Sequence, residues 1–149
     1  MAATPASPPQ SEDGDVEISK AGMAELGNKD LSGRVIEAAI AVHAALGPGF
    51  LESVYEKALA VELEARGIRF ERQKQIAVFH RGVAVGEHRL DLLVEGTLLV
   101  ELKAVKEIED IFFTIGRSQM KAAGIRDGII LNFATMPLTI KRIGPGIPS

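Results

Sequence analysis

The chain has 149 residues, of which 46% are hydrophobic and 25% are charged, as is typical of a globular protein with room for one packed core. It contains no cysteine, which excludes disulfides, zinc–thiolate sites and cysteine nucleophiles. The formal charge of -3 is concentrated in residues 1–30, which hold six acidic and two basic residues. The remainder is nearly neutral and does not indicate a general polyanion binder.

Both ends of the chain differ in composition from its middle. Residues 1–30 are acidic and rich in Pro, Ser and Ala, without a periodic apolar pattern, which predicts a disordered tail. Residues 144–149 read GPGIPS and predict a flexible tail. We therefore expect one domain over residues 31–143. Because no apolar run approaches a membrane span of ~20 residues and no signal peptide is recognisable, we expect a cytoplasmic protein without a membrane segment.

Two helices are predicted at the start of this domain. The first covers Leu31–Leu46, where apolar residues recur every three or four positions. The second runs from about Leu51 to Arg66. Its apolar stripe is assigned to Val54, Ala58, Val61 and Ala65. That assignment places Glu56 on the solvent side of the helix.

Strand patterns follow, interrupted by one further helix. The predicted order is strand Ile68–Arg81, strand Val83–Val94, a strand from about Leu98, helix Asp110–Ala123, strand Gly128–Phe133 and strand Leu138–Ile143. The first three strands form an antiparallel meander. The helix between the third and fourth strands implies that these two are parallel. The predicted fold is therefore α/β (α+β), a mixed four- to five-stranded sheet flanked by helices.

Three charged residues interrupt the apolar sequence of the second and third predicted strands. Asp91, Glu101 and Lys103 lie among Leu and Val residues that should be buried. An unpaired carboxylate there costs several kcal/mol, so the charges must neutralise one another or hold a divalent ion. Glu101 and Lys103 share a face because side chains alternate along a strand. Asp91 joins that face if the turn has three residues, whereas a two-residue turn places it opposite Val100.

The spacing of Asp91 and the Glu101-Leu102-Lys103 triplet, followed by a helix and a strand, resembles the core of the PD-(D/E)xK nucleases. More narrowly, three segments closely resemble the small bacterial GxxExxY family, whose name motif matches Gly49, Glu52 and Tyr55. The segments are GPGFLESVYEKAL preceded by His43, DLLVEGTLLVELKAV, and GIILNF. The resemblance covers residues 31–143 and implies a restriction-endonuclease-like core.

This resemblance implies a metal-dependent phosphodiesterase that acts on DNA or RNA. Asp91, Glu101 and Glu52 would then bind magnesium or manganese, for which carboxylate oxygens are suitable ligands. Lys103 would orient the attacking water. Tyr55 and His43 are candidates for substrate contact. A homodimer is expected as well, because small nucleases of this fold often use two active sites to cut both strands.

One helix departs from the family pattern. Family members usually carry HxxQLLxYLKxTG after the ExK triplet, and the alignment puts Phe112 at the His, Ile115 at the Gln and Gln119 at the Tyr. Gln119, Arg117 and Lys121 then remain as candidates for phosphate contact. The departure motivates an alternative hypothesis, a weak or inactive nuclease-fold module that binds nucleic acid or a protein partner. A third hypothesis is a structural subunit that uses the charges only as internal ion pairs.

Overall fold

A computed structural model describes residues 30–144. The order of elements is α1 (Leu31–Leu46), α2 (Glu52–Ala65), β1 (Phe70–His80), β2 (Val83–Val94), β3 (Leu98–Lys103), α3 (Asp110–Ala123), β4 (Asp127–Asn132) and β5 (Thr139–Ile143). Except for Asp30 and Gly144, the predicted tails lie outside the described residues. None of the helices in the described part is long and apolar enough to cross a membrane.

The five strands form one sheet in the order β1-β2-β3-β4-β5. The first three strands pair antiparallel, β3 and β4 pair parallel, and β5 pairs antiparallel with β4. The parallel pair is the one that α3 connects. The predicted mixed sheet with flanking helices is thus confirmed.

Helices cover both faces of the sheet. One core joins buried residues of α1 and α2 to one sheet face, including Val35, Leu59, Val100 and Leu131. A smaller core lies on the other face, where Met120 of α3 meets sheet residues. The side chains of β3 therefore divide between a large core on one side and the α3 side on the other.

The predicted apolar stripe of α2 was wrong. The helix buries Tyr55, Leu59 and Leu63, whereas 68% of Val61 is exposed. Both stripes have helical spacing, but the observed one carries the larger side chains and removes more apolar surface from water. Because α2 packs through this stripe, Glu56 also points inward, with only 7% of its surface exposed.

Candidate functional site

The turn between β2 and β3 sets the geometry of the charged cluster. Strand pairing runs from Val94 with Leu98 to Leu92 with Val100, which leaves three residues in the turn. Glu95 and Gly96 both take positive φ, at 51° and 71°. The pairing therefore selects the three-residue alternative, and the positive φ of these two residues lets the chain reverse. Continuing the register by one step places residue 91 opposite residue 101.

The two carboxylates each bind the backbone of the neighbouring strand. The Asp91 N–H donates to Glu101 Oε2 at 3.0 Å, and the Leu102 N–H donates to Asp91 Oδ2 at 2.9 Å. Each side chain therefore bridges β2 and β3. Each carboxylate has a second oxygen, Oδ1 or Oε1, that accepts no hydrogen bond from the described residues.

Burial and mutual repulsion make these carboxylates hard to ionise. Burial raises the pKa of Glu101 to about 8, and the Asp91 carboxylate adds to the rise. Burial likewise raises the pKa of Asp91 to about 6, although the hydrogen bond from Leu102 opposes it. Lys103 lowers both pKa values without cancelling the effect of burial. One lysine is thus insufficient compensation for two buried acids.

Lys103 follows Glu101 on the same face of β3 and meets an aromatic ring. Its Nζ lies 4.4 Å from the centroid of the Phe112 ring on α3. An ammonium group over an aromatic face is attracted by the ring quadrupole. Phe112, which stands where members of the family usually carry a histidine, therefore restrains Lys103.

Glu52 is the first residue of α2 and has an exposed side chain. It accepts no hydrogen bond and forms no ion pair with the described residues. Its charge nevertheless contributes to the raised pKa values of Asp91 and Glu101. The helix thus delivers an unpaired acid to the neighbourhood of the two buried ones.

Tyr55 holds the loop that leads into α2. Its hydroxyl donates to the Gly47 carbonyl and accepts from the Phe50 N–H at 3.1 Å. Its ring is fully buried and stacks on Phe133 at a centroid distance of 4.6 Å. The contacts of Tyr55 place it in the core, where it supports the position of Glu52.

Similarity to known proteins identifies the family of the chain. The family model described as the PD-(D/E)XK nuclease superfamily matches residues 29–143, which is most of the chain. The chain belongs to the PD-(D/E)XK nuclease superfamily. Comparisons with curated proteins and with solved structures found no significant match. The superfamily's nucleases generally use divalent metal ions and act on nucleic acids, which agrees with the acidic character of this site.

His43 of this nuclease-fold chain lies in the core, with 8% of its surface exposed. Its Nε2 lies 2.8 Å from the Thr135 carbonyl oxygen, and its ring lies 6.1 Å from that of Phe133. A protonated Nε2 donates to that carbonyl. These contacts are those of a packed histidine bonded to backbone.

The three candidate phosphate contacts on α3 differ in their burial and in their neighbours. Gln119 is buried, its Nε2 donates to the Arg89 carbonyl at 3.4 Å, and its Oε1 has no partner among the described residues. Arg117 lines a cavity of about 510 Å³ whose lining residues do not include the two acids or Lys103. Lys121 is exposed near the end of the helix. No hydrogen bond among the described residues joins Arg117 or Gln119 to Asp91 or Glu101, and phosphate contact by the three residues stays a prediction.

Glu56 is the site residue that the sequence pattern did not reveal. It accepts hydrogen bonds from Arg72 Nε at 3.2 Å and from Gln73 Nε2 at 2.8 and 3.0 Å. Its charge contributes to the raised pKa of Asp91. Glu56 lies one turn after Glu52, and a stripe assigned through Tyr55 and Leu59 would have placed it at the edge of the buried face.

The donor set fits a hard divalent cation in its chemistry. Two carboxylates with free oxygens supply the ligands that magnesium and manganese prefer, and a cation would offset the repulsion that raises the pKa of both. Within residues 30–144, no group of three or more acidic or histidine side chains is close enough to hold a metal ion. Glu52 is therefore not grouped with Asp91 and Glu101, and these two remain the candidate ligands.

Proposed function

We propose that this protein is a metal-dependent phosphodiesterase that hydrolyses DNA or RNA. The observation that carries the proposal is the reciprocal contact of Asp91 and Glu101 with each other's strands, which brings two buried carboxylates together. Lys103 follows on the same face and only partly compensates their charge. Membership of the nuclease superfamily supports hydrolysis as the reaction.

The residues have separate roles in this proposal. Asp91 and Glu101 bind the ion, and Glu52 is the third acid available to it or to its waters. A bound magnesium or manganese ion supplies charge stabilisation of the phosphoryl group and lowers the pKa of water. The Lys103 ammonium, restrained by Phe112, orients the attacking water or stabilises negative charge on the phosphoryl oxygens.

Further parts of the proposal rest on the sequence resemblance. Gly49, Glu52 and Tyr55 support assignment to the GxxExxY family, and the loop held by Tyr55 is compatible with that motif. We also propose a cytoplasmic location and a homodimer. Sedimentation at micromolar concentration tests the dimer, and a single species of 15.9 kDa would contradict it.

The decisive experiment combines metal binding with cleavage. Calorimetry with Mg²⁺ and Mn²⁺ measures binding, and labelled single- and double-stranded DNA and RNA test hydrolysis. We expect Lys103→Ala to lose cleavage by on the order of 100-fold or more, because the charge that assists the reaction is gone. It should retain metal binding. Glu101→Ala should lose both.

Lys57→Ala is the matched control, since Lys57 is an exposed lysine on the outer side of α2. It should cleave as the wild type does. Cleavage that survives Lys103→Ala and Glu101→Ala unchanged would come from a contaminant and would refute the enzymatic proposal. Metal and nucleic-acid binding without cleavage by the wild type would instead identify a binding module.

A further inference from the structure

A second acid of α2 is held by two residues of β1. Both Glu56 oxygens accept from Gln73 Nε2, and Oε2 also accepts from Arg72 Nε. The acid is buried, whereas the arginine side chain is 39% exposed. We call these three residues the Glu56 clamp. It is a connection between α2 and the edge strand of the sheet.

The backbone at Gln73 is unusual for the interior of a strand. Its φ is 53°, in the left-handed region that residues other than glycine rarely adopt. Its two neighbours in β1 pair with Leu90 and Leu92, so Gln73 lies opposite Asp91 in the register. Strain of this kind persists only where surrounding contacts maintain it, and it is often found at functional sites.

The clamp and the carboxylates also influence each other electrostatically. The charge of Glu56 acts on Asp91, whereas the charge of Glu52 acts on both Asp91 and Glu101, in each case raising the pKa. Because Glu56 bonds Gln73, which lies opposite Asp91 in the register, the first turn of α2 lies at the level of Asp91, with Glu56 at the β1 edge. Holding Glu56 in place consequently restrains the direction in which Glu52 projects.

We propose that the Glu56 clamp is a positioning device for Glu52. It fixes the first turn of α2 near the two buried carboxylates, so that Glu52 can contribute to the waters of a bound ion. This inference rests on the proposed function, because it presumes that Asp91 and Glu101 bind a divalent cation. Outer partners that orient ligands typically change metal affinity about 10- to 100-fold when removed.

Arg72→Gln separates positioning from simple charge. The substitution removes a positive charge near an acidic site, so charge alone would strengthen Mn²⁺ binding. Loss of the clamp predicts the opposite, an affinity about 10-fold or more below that of the wild type, measured by calorimetry at fixed ionic strength. Arg66→Gln is the control, because Arg66 pairs with Glu62 of the same helix at 2.7 Å.

Gln73→Gly tests the clamp without any change of charge. Glycine accepts the positive φ without strain, which offsets the cost of leaving the buried Glu56 with one donor fewer, so the melting temperature should change little. The amide that binds Glu56 is lost, and Mn²⁺ affinity should fall about 10-fold. A weaker ion site in a fold of nearly unchanged stability cannot be attributed to unfolding.

A double-mutant cycle shows whether the clamp acts through Glu52. In a Glu52→Gln background, Arg72→Gln and Gln73→Gly should change Mn²⁺ affinity by less than about 2-fold, because the positioned group is already gone. The inference would be overturned by tighter or unchanged Mn²⁺ binding in the single variants, by equal weakening of Mn²⁺ binding in both backgrounds, or by a wild type that binds no Mn²⁺. If the double-mutant cycle gives the expected Mn²⁺ affinities but the wild type cleaves no substrate, only the proposed hydrolysis would be refuted.

Discussion

The Nζ of Lys103 lies 4.4 Å from the centroid of the Phe112 ring, so an aromatic face restrains the lysine whose charge lowers the pKa of both buried acids. A cation over a ring is stabilised by about 0.5–2 kcal/mol, depending on its exposure to water. We expect Phe112→Leu to lower kcat about 3- to 30-fold with little change in KM. Phe112→Tyr should restore the rate because it keeps the ring.

Phe113→Leu is the matched control for this series. Phe113 is the next residue of α3 and packs against the same core without lying over the lysine. Its loss should reduce stability while leaving kcat within about 2-fold of the wild type. Equal losses of kcat in the two leucine variants would show that Phe112 matters only for packing.

Stability should fall as the pH rises in the absence of metal. The folded-state pKa values of Asp91 and Glu101 are raised to about 6 and about 8, above their unfolded values. Between about pH 4 and pH 8 the folded state therefore holds more protons than the unfolded state, and the free energy of unfolding decreases with rising pH. Urea unfolding in EDTA should show a loss on the order of 2–5 kcal/mol between pH 5 and pH 8.

Mn²⁺ should remove most of this loss, because a bound cation favours the ionised carboxylates. Glu101→Gln should flatten the profile in EDTA, since it removes the group with the larger upward pKa shift. A wild-type profile that is level from pH 5 to pH 8 in EDTA would mean that the carboxylates are not destabilised by burial.

Asp91 should contribute differently to stability and to metal binding. Its Oδ2 accepts from the Leu102 N–H, and an amide oxygen in Asp91→Asn can keep that hydrogen bond. We expect Asp91→Asn to be as stable as the wild type or more stable at pH 8, because a buried charge is removed. Asp91→Ala leaves the N–H without its acceptor and should cost about 1–3 kcal/mol. Mn²⁺ binding in calorimetry should weaken in Asp91→Asn and be lost in Asp91→Ala, and retention by Asp91→Ala would exclude Asp91 as a ligand.

Gly49 should be required for the loop that precedes Glu52. Its φ is 116°, a conformation that is strained for any L side chain, although a Cβ there meets no atom within 4 Å. Gly49→Ala should therefore reduce the free energy of unfolding by about 1–3 kcal/mol through the backbone alone. Gly86→Ala is the comparison, since its Cβ also meets nothing and its φ is not positive. Similar stabilities of the two variants in urea would contradict this explanation.

Arg117 tests whether the α3 surface binds nucleic acid. It lines the cavity of about 510 Å³ together with Lys141, and its Nη2 makes a hydrogen bond of 3.4 Å to Thr114. If Arg117 contacts a phosphate, Arg117→Gln should weaken oligonucleotide binding and reduce the slope of log affinity against log salt by about 1. Arg34→Gln, an exposed arginine of α1, should leave the slope unchanged. An equal slope in both variants would place the substrate elsewhere.

Much of the fold was predictable because each element has a local pattern. The strand and helix periodicities around α1, β2 and α3 were accurate to within a residue or two. Charges within apolar strands also singled out Asp91, Glu101 and Lys103, because burial makes such residues costly wherever the chain places them. The number of residues in the turn was the uncertain step, and pairing of Leu92 with Val100 resolves it in favour of three.

The element order, the superfamily resemblance and the three charges of β2 and β3 were predictable, since all of these reside in local spacing along the chain. By contrast, the docking of α2 through Tyr55 and Leu59, and hence the burial of Glu56 against β1, depends on how the elements pack. The physical reason is that two helical stripes of similar periodicity compete, and the choice depends on the area that each buries against the sheet. The contact of Lys103 with Phe112 likewise joins residues whose proximity depends on how α3 packs.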